Sequence, residues 1–392
     1  MKYGSFLAWL PVVCLALSAF IFNTTELVPV GLLTSIAKSF EMDPAHTGSI
    51  VTIYAWAVAV LSLPLTVLTA KYDRRKLLIC LFAIFTASHL LAGFAWNFTA
   101  LLIARIGIAC AHAVFWAITV PLAVRVAPHG KRNKAIALVV AGSSLAAVMG
   151  VPLGTIIGQS VGWRVTFLCI GVTAAMVLFA LHKLLPPLPS KNAGNFSSLP
   201  VLIKRPALVW IYVLIAVVIT GEFTAYTYIG PFMEDIGFEE SVVVWLLLLL
   251  GGAGLFGTYL YGVLADRYPD QILVAALALL FLSLLALRFA SFSLVLTGIV
   301  CVVWGTVLSI MFLGLQSRML DAATDATDVA TSIYSGIFNV GIGGGAFVGS
   351  FVCLYMGSGS VGFVGSGIVF AALILCVIYL KHTGGHTASP QP

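Results

Sequence analysis

Charge is the scarcest feature of this sequence: Asp, Glu, Lys and Arg together make up 9% of its 392 residues, where a soluble globular domain carries about a quarter. A soluble domain is excluded on that ground. Also missing is any Gly-x-x-x-x-Gly-Lys-Ser/Thr loop, which excludes ATP-driven chemistry of the phosphate-loop kind, and no Ser/His/Asp or metal-ligand spacing offers a catalytic centre. The seven cysteines, at 14, 80, 110, 169, 301, 353 and 376, fall one by one in apolar runs. Their spacing fits neither a disulfide framework nor zinc, so they read as small apolar fillers, and neither a metal nor another cofactor is implied.

What is abundant is apolar length. Hydrophobic residues make up 61% of the chain and the mean hydropathy is +1.10. Because about 20 apolar residues cross a bilayer as a helix, the sequence predicts an all-α membrane protein with twelve transmembrane helices, at about 6–33, 47–70, 76–95, 99–126, 133–158, 164–185, 206–232, 241–264, 271–289, 293–317, 327–356 and 361–380. The apolar start runs past the length of a signal-peptide core and leads into Asn23 and Glu26, so it reads as a retained first span.

Residues 186–205, rich in Pro, Gly, Ser and basic side chains, have linker composition. They divide the chain into a six-helix bundle at 1–185 and a second at 206–381, with a tail at 382–392. The halves echo one another, which predicts two pseudo-symmetric bundles. Gly262-Val-Leu-Ala-Asp266-Arg267 matches a degenerate Thr66-Val-Leu-Thr-Ala70-Lys71, and Gly150, Gly154 and Gly158 match Gly341, Gly345 and Gly349. Small residues at every fourth position let two helices approach closely, and Pro152 removes a backbone donor within that face. Cytoplasmic loops accumulate Lys and Arg. With both termini cytoplasmic, sixteen of the twenty basic residues fall inside, against Lys38, Arg164 and Arg288 outside and Arg105 within a span. The net charge of +6 therefore reflects topology, not a nucleic-acid partner.

Against this background the ionisable groups inside spans stand out, because burying them at membrane depth is expensive and such residues are functional candidates. Span 4 places Arg105, Ala109, His112, Trp116 and Thr119 on one helical face, a polar stripe expected to line a water-filled cavity. Glu26 shares a face with Asn23 and precedes Pro29, which loosens the turn. Desolvation would favour the protonated acid there and a neighbouring cation the carboxylate, the competition a proton switch needs. Glu222 holds the equivalent place in span 7. Glu26, His112, Arg105 and Glu222 are the proton-coupling candidates, with structural pairing or interhelical hydrogen bonding as the simpler alternatives.

These motifs carry a family resemblance. The twelve spans, the loop at 262–267 and Gly150-Val-Pro152-Leu-Gly154-Thr-Ile-Ile-Gly158 followed by Gly162-Trp163-Arg164 resemble the drug:proton antiporter branch of the major facilitator superfamily. Asn23-Thr24-Thr25-Glu26-Leu-Val-Pro29, Arg105 through Trp116, and Asp325-Ala-Thr-Asp328 with Phe338-Asn339 resemble, more narrowly, bacterial sugar efflux transporters. The resemblance implies a monomeric, multi-pass protein of the bacterial inner membrane that exports small sugars in exchange for protons. A multidrug:proton antiporter and an uncoupled sugar facilitator remain the alternatives. It also implies cavity-lining positions, where Asn23, Thr24, Tyr54, Trp56, Trp116, Thr119, Tyr226, Tyr228, Gln316 and Asn339 offer hydrogen bonds and flat rings to a polyol. The sequence departs from the superfamily in one loop: its acidic residue would fall at Ala70 and its later glycine at Asp73, beside Arg74 and Arg75. Any charge latch therefore rests on Asp266 and Arg267, with Gly262 either a gating residue or a close helix contact. Lys131 and Arg132 in one inner loop are expected to pair with Asp325 and Asp328 in its repeat partner when the inner mouth closes; otherwise the two aspartates simply cap span 11.

Overall fold

The computed structural model describes residues 8–190, 199–202, 204–325 and 327–384, with the side chains of Asn133, Leu199, Asp328 and residues 382–384 outside that description. Residues 191–198 and 203 of the expected linker and 385–392 of the expected tail are not covered.

Among the described residues twelve helices are long and apolar enough to cross a membrane, and no strand occurs. They are α1 (Leu10–Gly31), α2 (Ser49–Thr69), α3 (Arg74–Gly93), α4 (Phe98–Val126), α5 (Arg132–Leu145, continued by a π-helical turn Ala146–Gly150 and by Val151–Val161), α6 (Trp163–Leu184), α7 (Pro206–Tyr226), α8 (Glu240–Leu264), α9 (Pro269–Ala290), α10 (Leu294–Ala322), α11 (Thr327–Met356) and α12 (Val361–Gly384). Local chemistry sets several starts. Asp73, Asn97 and Ser293 cap α3, α4 and α10 by accepting from the backbone N–H groups of Lys76, Ala100 and Leu296. Proline occupies the first turn of α7 and α9, where its missing N–H costs nothing.

Two spans are broken at equivalent places. After Pro29 and Gly31 the first span pauses at Leu32 and resumes as Leu33–Ser39. In the second half, Thr227 and Tyr228 separate α7 from Ile229–Asp235. Hydropathy does not foresee the second break, because the apolar run expected to 232 continues through it; the first falls at the expected end of span 1, where the sequence does not foresee that the helix resumes.

The chain separates into two compact units, Met1–Asp43 with Ile53–Asn195, and Pro44–Thr52 with Phe196–Pro392. In the first, α1 lies on α5, and Gly150, Gly154 and Gly158 are the contact: a Cβ at each would come within 2.1, 2.5 and 2.2 Å of Thr24, Val28 and Leu32. The π-turn directly before Pro152 widens the helix where a proline ring would otherwise strike the carbonyl one turn back. In the second unit α7 lies on α11 in the same manner, with Gly341, Gly345 and Gly349 against Ile219, Phe223 and Tyr228. At the far end of α5, Gly162 turns the chain into α6 with φ of 100°, a conformation that favours glycine. Arg164 follows, donating to the Ala95 carbonyl and to Ser39 Oγ while lying over the Trp163 ring.

The loop that departs from the superfamily pattern has other work. Asp73 Oδ2 accepts from the Leu188 N–H at 2.9 Å while the Leu188 carbonyl accepts from Arg74 N at 2.8 Å. Ser190 Oγ donates to the Ala70 carbonyl, and Arg125 and Arg75 donate to the carbonyls of Pro189 and His182. Residues 186–190 are thus strapped onto the first unit. Arg74 heads α3, where the helix dipole opposes a cation, but its guanidinium turns back to the carbonyls of Thr69 and Ala70 at the end of α2, where a cation is favoured.

Candidate functional site

In the first unit a run of polar contacts crosses α1, α2 and α4. Arg105 is fully buried. Its Nη1 donates to the Thr25 carbonyl at 2.8 Å and its guanidinium lies 3.8 Å from the centre of the Tyr54 ring, a desolvated cation–π contact of about 2 kcal/mol. Nε and Nη2 have no hydrogen-bond partner among the described residues, so the guanidinium retains unused donors in a dry setting. Tyr54 Oη sits 2.6 Å from His112 Nδ1, Trp116 Nε1 donates to His112 Nε2 at 2.9 Å, and Glu26 Oε2 lies 3.9 Å from the same Nε2.

This geometry fixes the tautomer of His112. An indole N–H only donates, so Nε2 must present its lone pair, and a neutral ring then carries its proton on Nδ1 and gives it to Tyr54 Oη. A proton can pass between Glu26 and His112 Nε2 only after the Trp116 N–H is displaced. Around them Phe22 stacks on Phe115 with centroids 3.9 Å apart, closing the group to one side. The expected water-lined stripe is not met, since Ala109, His112 and Thr119 are buried along with Arg105. Only Glu26, with 10% of its side chain exposed, and the half-buried Trp116 reach outward.

Other candidates are placed apart. Thr24 faces Gly150 and returns its hydroxyl to the Phe20 carbonyl; Thr119 does the same to Phe115. Asn23 bonds Ser143 on α5, and Trp56 is exposed. In the second unit Glu222 is buried with Oε2 unpartnered, one turn before Tyr226, whose ring meets Trp304 edge to face at 6.3 Å. The Trp304 indole N–H and Asn339 Oδ1 are also buried and, like Glu222 Oε2, without a partner among the described residues, although Asn339 Nδ2 reaches the Ser335 carbonyl. Gln316 is half-buried. Tyr228 instead donates to the Ala346 carbonyl, across the glycine face of α11. Sequence reasoning missed Trp304, which reads as packing in an apolar run, and His89, an intramembrane titratable group whose signal was the same as that of His112.

The latch candidates are mostly solvent-facing. A Cβ at Gly262 would meet nothing within 4 Å among the described residues, so it makes no close helix contact. Asp266 is exposed, and Arg267 lies over its neighbour Tyr268. Lys131 and Arg132 are exposed at the start of α5. Asp325 is held by Arg205, both carboxylate oxygens accepting at 2.6 Å. These hydrogen bonds keep the Asp325 carboxyl below the usual range. Asp328 lies outside the described side chains.

Among the described residues, helices long enough to cross a membrane carry a buried cation, histidines and carboxyl groups, the intramembrane groups that mark substrate or proton paths in transporters. The family model of the Major Facilitator Superfamily matches residues 13–330. In overall structure the chain is similar to a bacterial homologue of the human lysosomal transporter Spinster. The inward-facing, unoccupied form of that protein gives a TM-score of 0.74 at 16% identity, covering 96% of this chain and 95% of that one. Its inward-facing, occupied form gives 0.72 at 17%, covering 97% and 96%. The chain belongs to the Major Facilitator Superfamily, and is a multi-pass membrane protein that transports small molecules.

Proposed function

We propose that this protein exports small sugars or sugar analogues, such as arabinose or alkyl thiogalactosides, in exchange for protons by alternating access. In this reading it works as a monomer in a bacterial inner membrane with both termini cytoplasmic. The observation that carries the coupling is the Glu26, Arg105 and His112 group, in which a buried guanidinium keeps free donors beside a titratable acid. Loss of a proton from Glu26 gives Arg105 an anion to turn toward; its return releases the cation to Thr25 and Tyr54. Trp116 links this to cargo, because a sugar drawing the indole N–H away from His112 Nε2 opens that nitrogen to the Glu26 proton.

Trp116→Phe keeps a flat ring and loses the N–H. The expected result is that arabinose exchange in proteoliposomes persists while the protons moved per sugar fall, read with an internal pH dye; an unchanged ratio would mean that Trp116 only packs.

A neutral polyhydroxylated cargo suits the second unit, where Glu222 and Trp304, near the Tyr226 ring, and Asn339 on α11 each hold a polar atom with no hydrogen-bond partner among the described residues. A multidrug site would rest on a larger apolar pocket instead. Asn339→Leu and Gln316→Leu should each weaken sugar binding about tenfold, the worth of roughly 1.4 kcal/mol, with folding intact because leucine suits the bilayer. Titration of the purified variants checks this, and unaltered affinity in both shifts the reading to drugs.

A further inference from the structure

The geometry points to His89, on α3, as the positioning residue that holds Arg105 and Glu26 in register, acting through Thr25. The inference rests on the coupling role proposed for Glu26.

His89 is fully buried, and both ring nitrogens are used. Nδ1 lies 2.8 Å from the Phe85 carbonyl, which can only accept, so the ring donates there. Nε2 then carries the lone pair and accepts from the Thr25 hydroxyl, also at 2.8 Å. The ring is held between Phe85, at 4.2 Å between centroids, and Phe167 of α6 at 6.1 Å. Gly171 of α6 keeps the slot open, since a Cβ there would stand 3.0 Å from His89 Cβ.

What Thr25 does is unusual for this chain. Most hydroxyls inside its spans return to the carbonyl one turn back, as at Thr24, Thr119, Thr155 and Thr220, the default for Ser and Thr in helices; Thr166 is an exception, donating from α6 to the Gly154 carbonyl of α5. Thr25 gives its proton across to α3 instead. The carbonyl of the same residue takes the only side-chain hydrogen bond that Arg105 makes among the described residues. Thr25 also directly precedes Glu26, so fixing its backbone fixes where the carboxyl group stands relative to the guanidinium. His89 touches neither charged group, yet it anchors the residue between them.

The groups that face Glu26 are Arg105 and His112 from α4 and Tyr54 from α2. On α5 and α6, the other helices packed on α1, the basic side chains Arg132, Lys134, Arg164, His182 and Lys183 are near the helix ends.

The test is a pH titration of the Glu26 carboxyl band by infrared difference spectroscopy of the full-length purified protein without substrate, with Glu26→Gln to assign the band. His89→Phe keeps the ring and removes the acceptor; His89→Gln restores an acceptor near the Nε2 position; Thr25→Val removes the donor. The expected result is that His89→Phe and Thr25→Val each displace the midpoint by about one pH unit, a tenfold change in proton affinity. The pair together should do no more than either alone, and His89→Gln should stay near wild type. Should His89→Phe not fold, Thr25→Val against Thr25→Ser makes the same comparison from the other partner. A midpoint unmoved by either loss variant overturns the assignment while leaving Glu26 as the coupling acid. A wild-type band that does not titrate at all overturns the coupling reading and this one with it.

Discussion

Glu26→Gln is expected to abolish proton-driven sugar accumulation against a gradient, down to the level of empty liposomes, while downhill arabinose counterflow continues. The amide has the shape of the protonated acid, so it suits the same half-dry place between α1 and α4 without leaving a buried charge. What it cannot do is become an anion. Arg105 then has no reason to leave the Thr25 carbonyl and the Tyr54 ring, where it already holds one hydrogen bond and a desolvated ring contact. Exchange of sugar for sugar needs no net proton movement and should survive. Wild-type uphill transport by this variant would remove Glu26 from the mechanism and leave the buried Glu222 as the remaining intramembrane acid.

A second large effect is expected from the smallest possible change in the packing. At Gly345 an added Cβ would lie 2.6 Å from the Thr220 carbonyl oxygen, 2.8 Å from Thr224 N and 2.6 Å from Phe223 Cβ. Two of these atoms are backbone of α7, which cannot swing aside as a side-chain end can. Gly345→Ala should therefore push α11 off α7 at a cost of about 1–3 kcal/mol, seen as a lower melting temperature in detergent and a smaller monodisperse fraction. Gly262→Ala is the contrast. It has open space around it, and alanine gains about 0.5–1 kcal/mol over glycine inside a helix, so its melting temperature should hold or rise. Equal losses at both positions would mean that the helix contact described for α11 is not what glycine provides.

The spans were legible because apolar length is a one-dimensional signal, and the helix from 327 to 356 begins and ends where the hydropathy run does. Breaks within spans were not. Tyr228 interrupts a helix inside the run expected to 232, and after Leu32 the helix resumes beyond the expected end of span 1, so only backbone geometry marks either place. Arg105, His112 and Glu26 could be read from their type and depth, and α4 brings the first two together through simple helical spacing. Thr25 could not, since Thr24 beside it has the same chemistry, and only the rotation of α1 decides which hydroxyl meets α3 and which meets Gly150. Asp73 likewise reads as a departure from a family pattern, whereas its second oxygen is committed to a backbone N–H more than a hundred residues away, a partner that no local pattern names.

That commitment bears on where the chain can be divided. Composition alone suggests cutting at residue 185, where the last helix of the first half gives way to proline. A first half ended there would leave Asp73 Oδ2, the Arg74 N–H and the Ala70 carbonyl facing water without Leu188 and Ser190. Five residues of apparent spacer are in effect the closing piece of the first bundle. A two-fragment version of this transporter is best parted after residue 190, so that the first fragment keeps the segment that closes its own bundle.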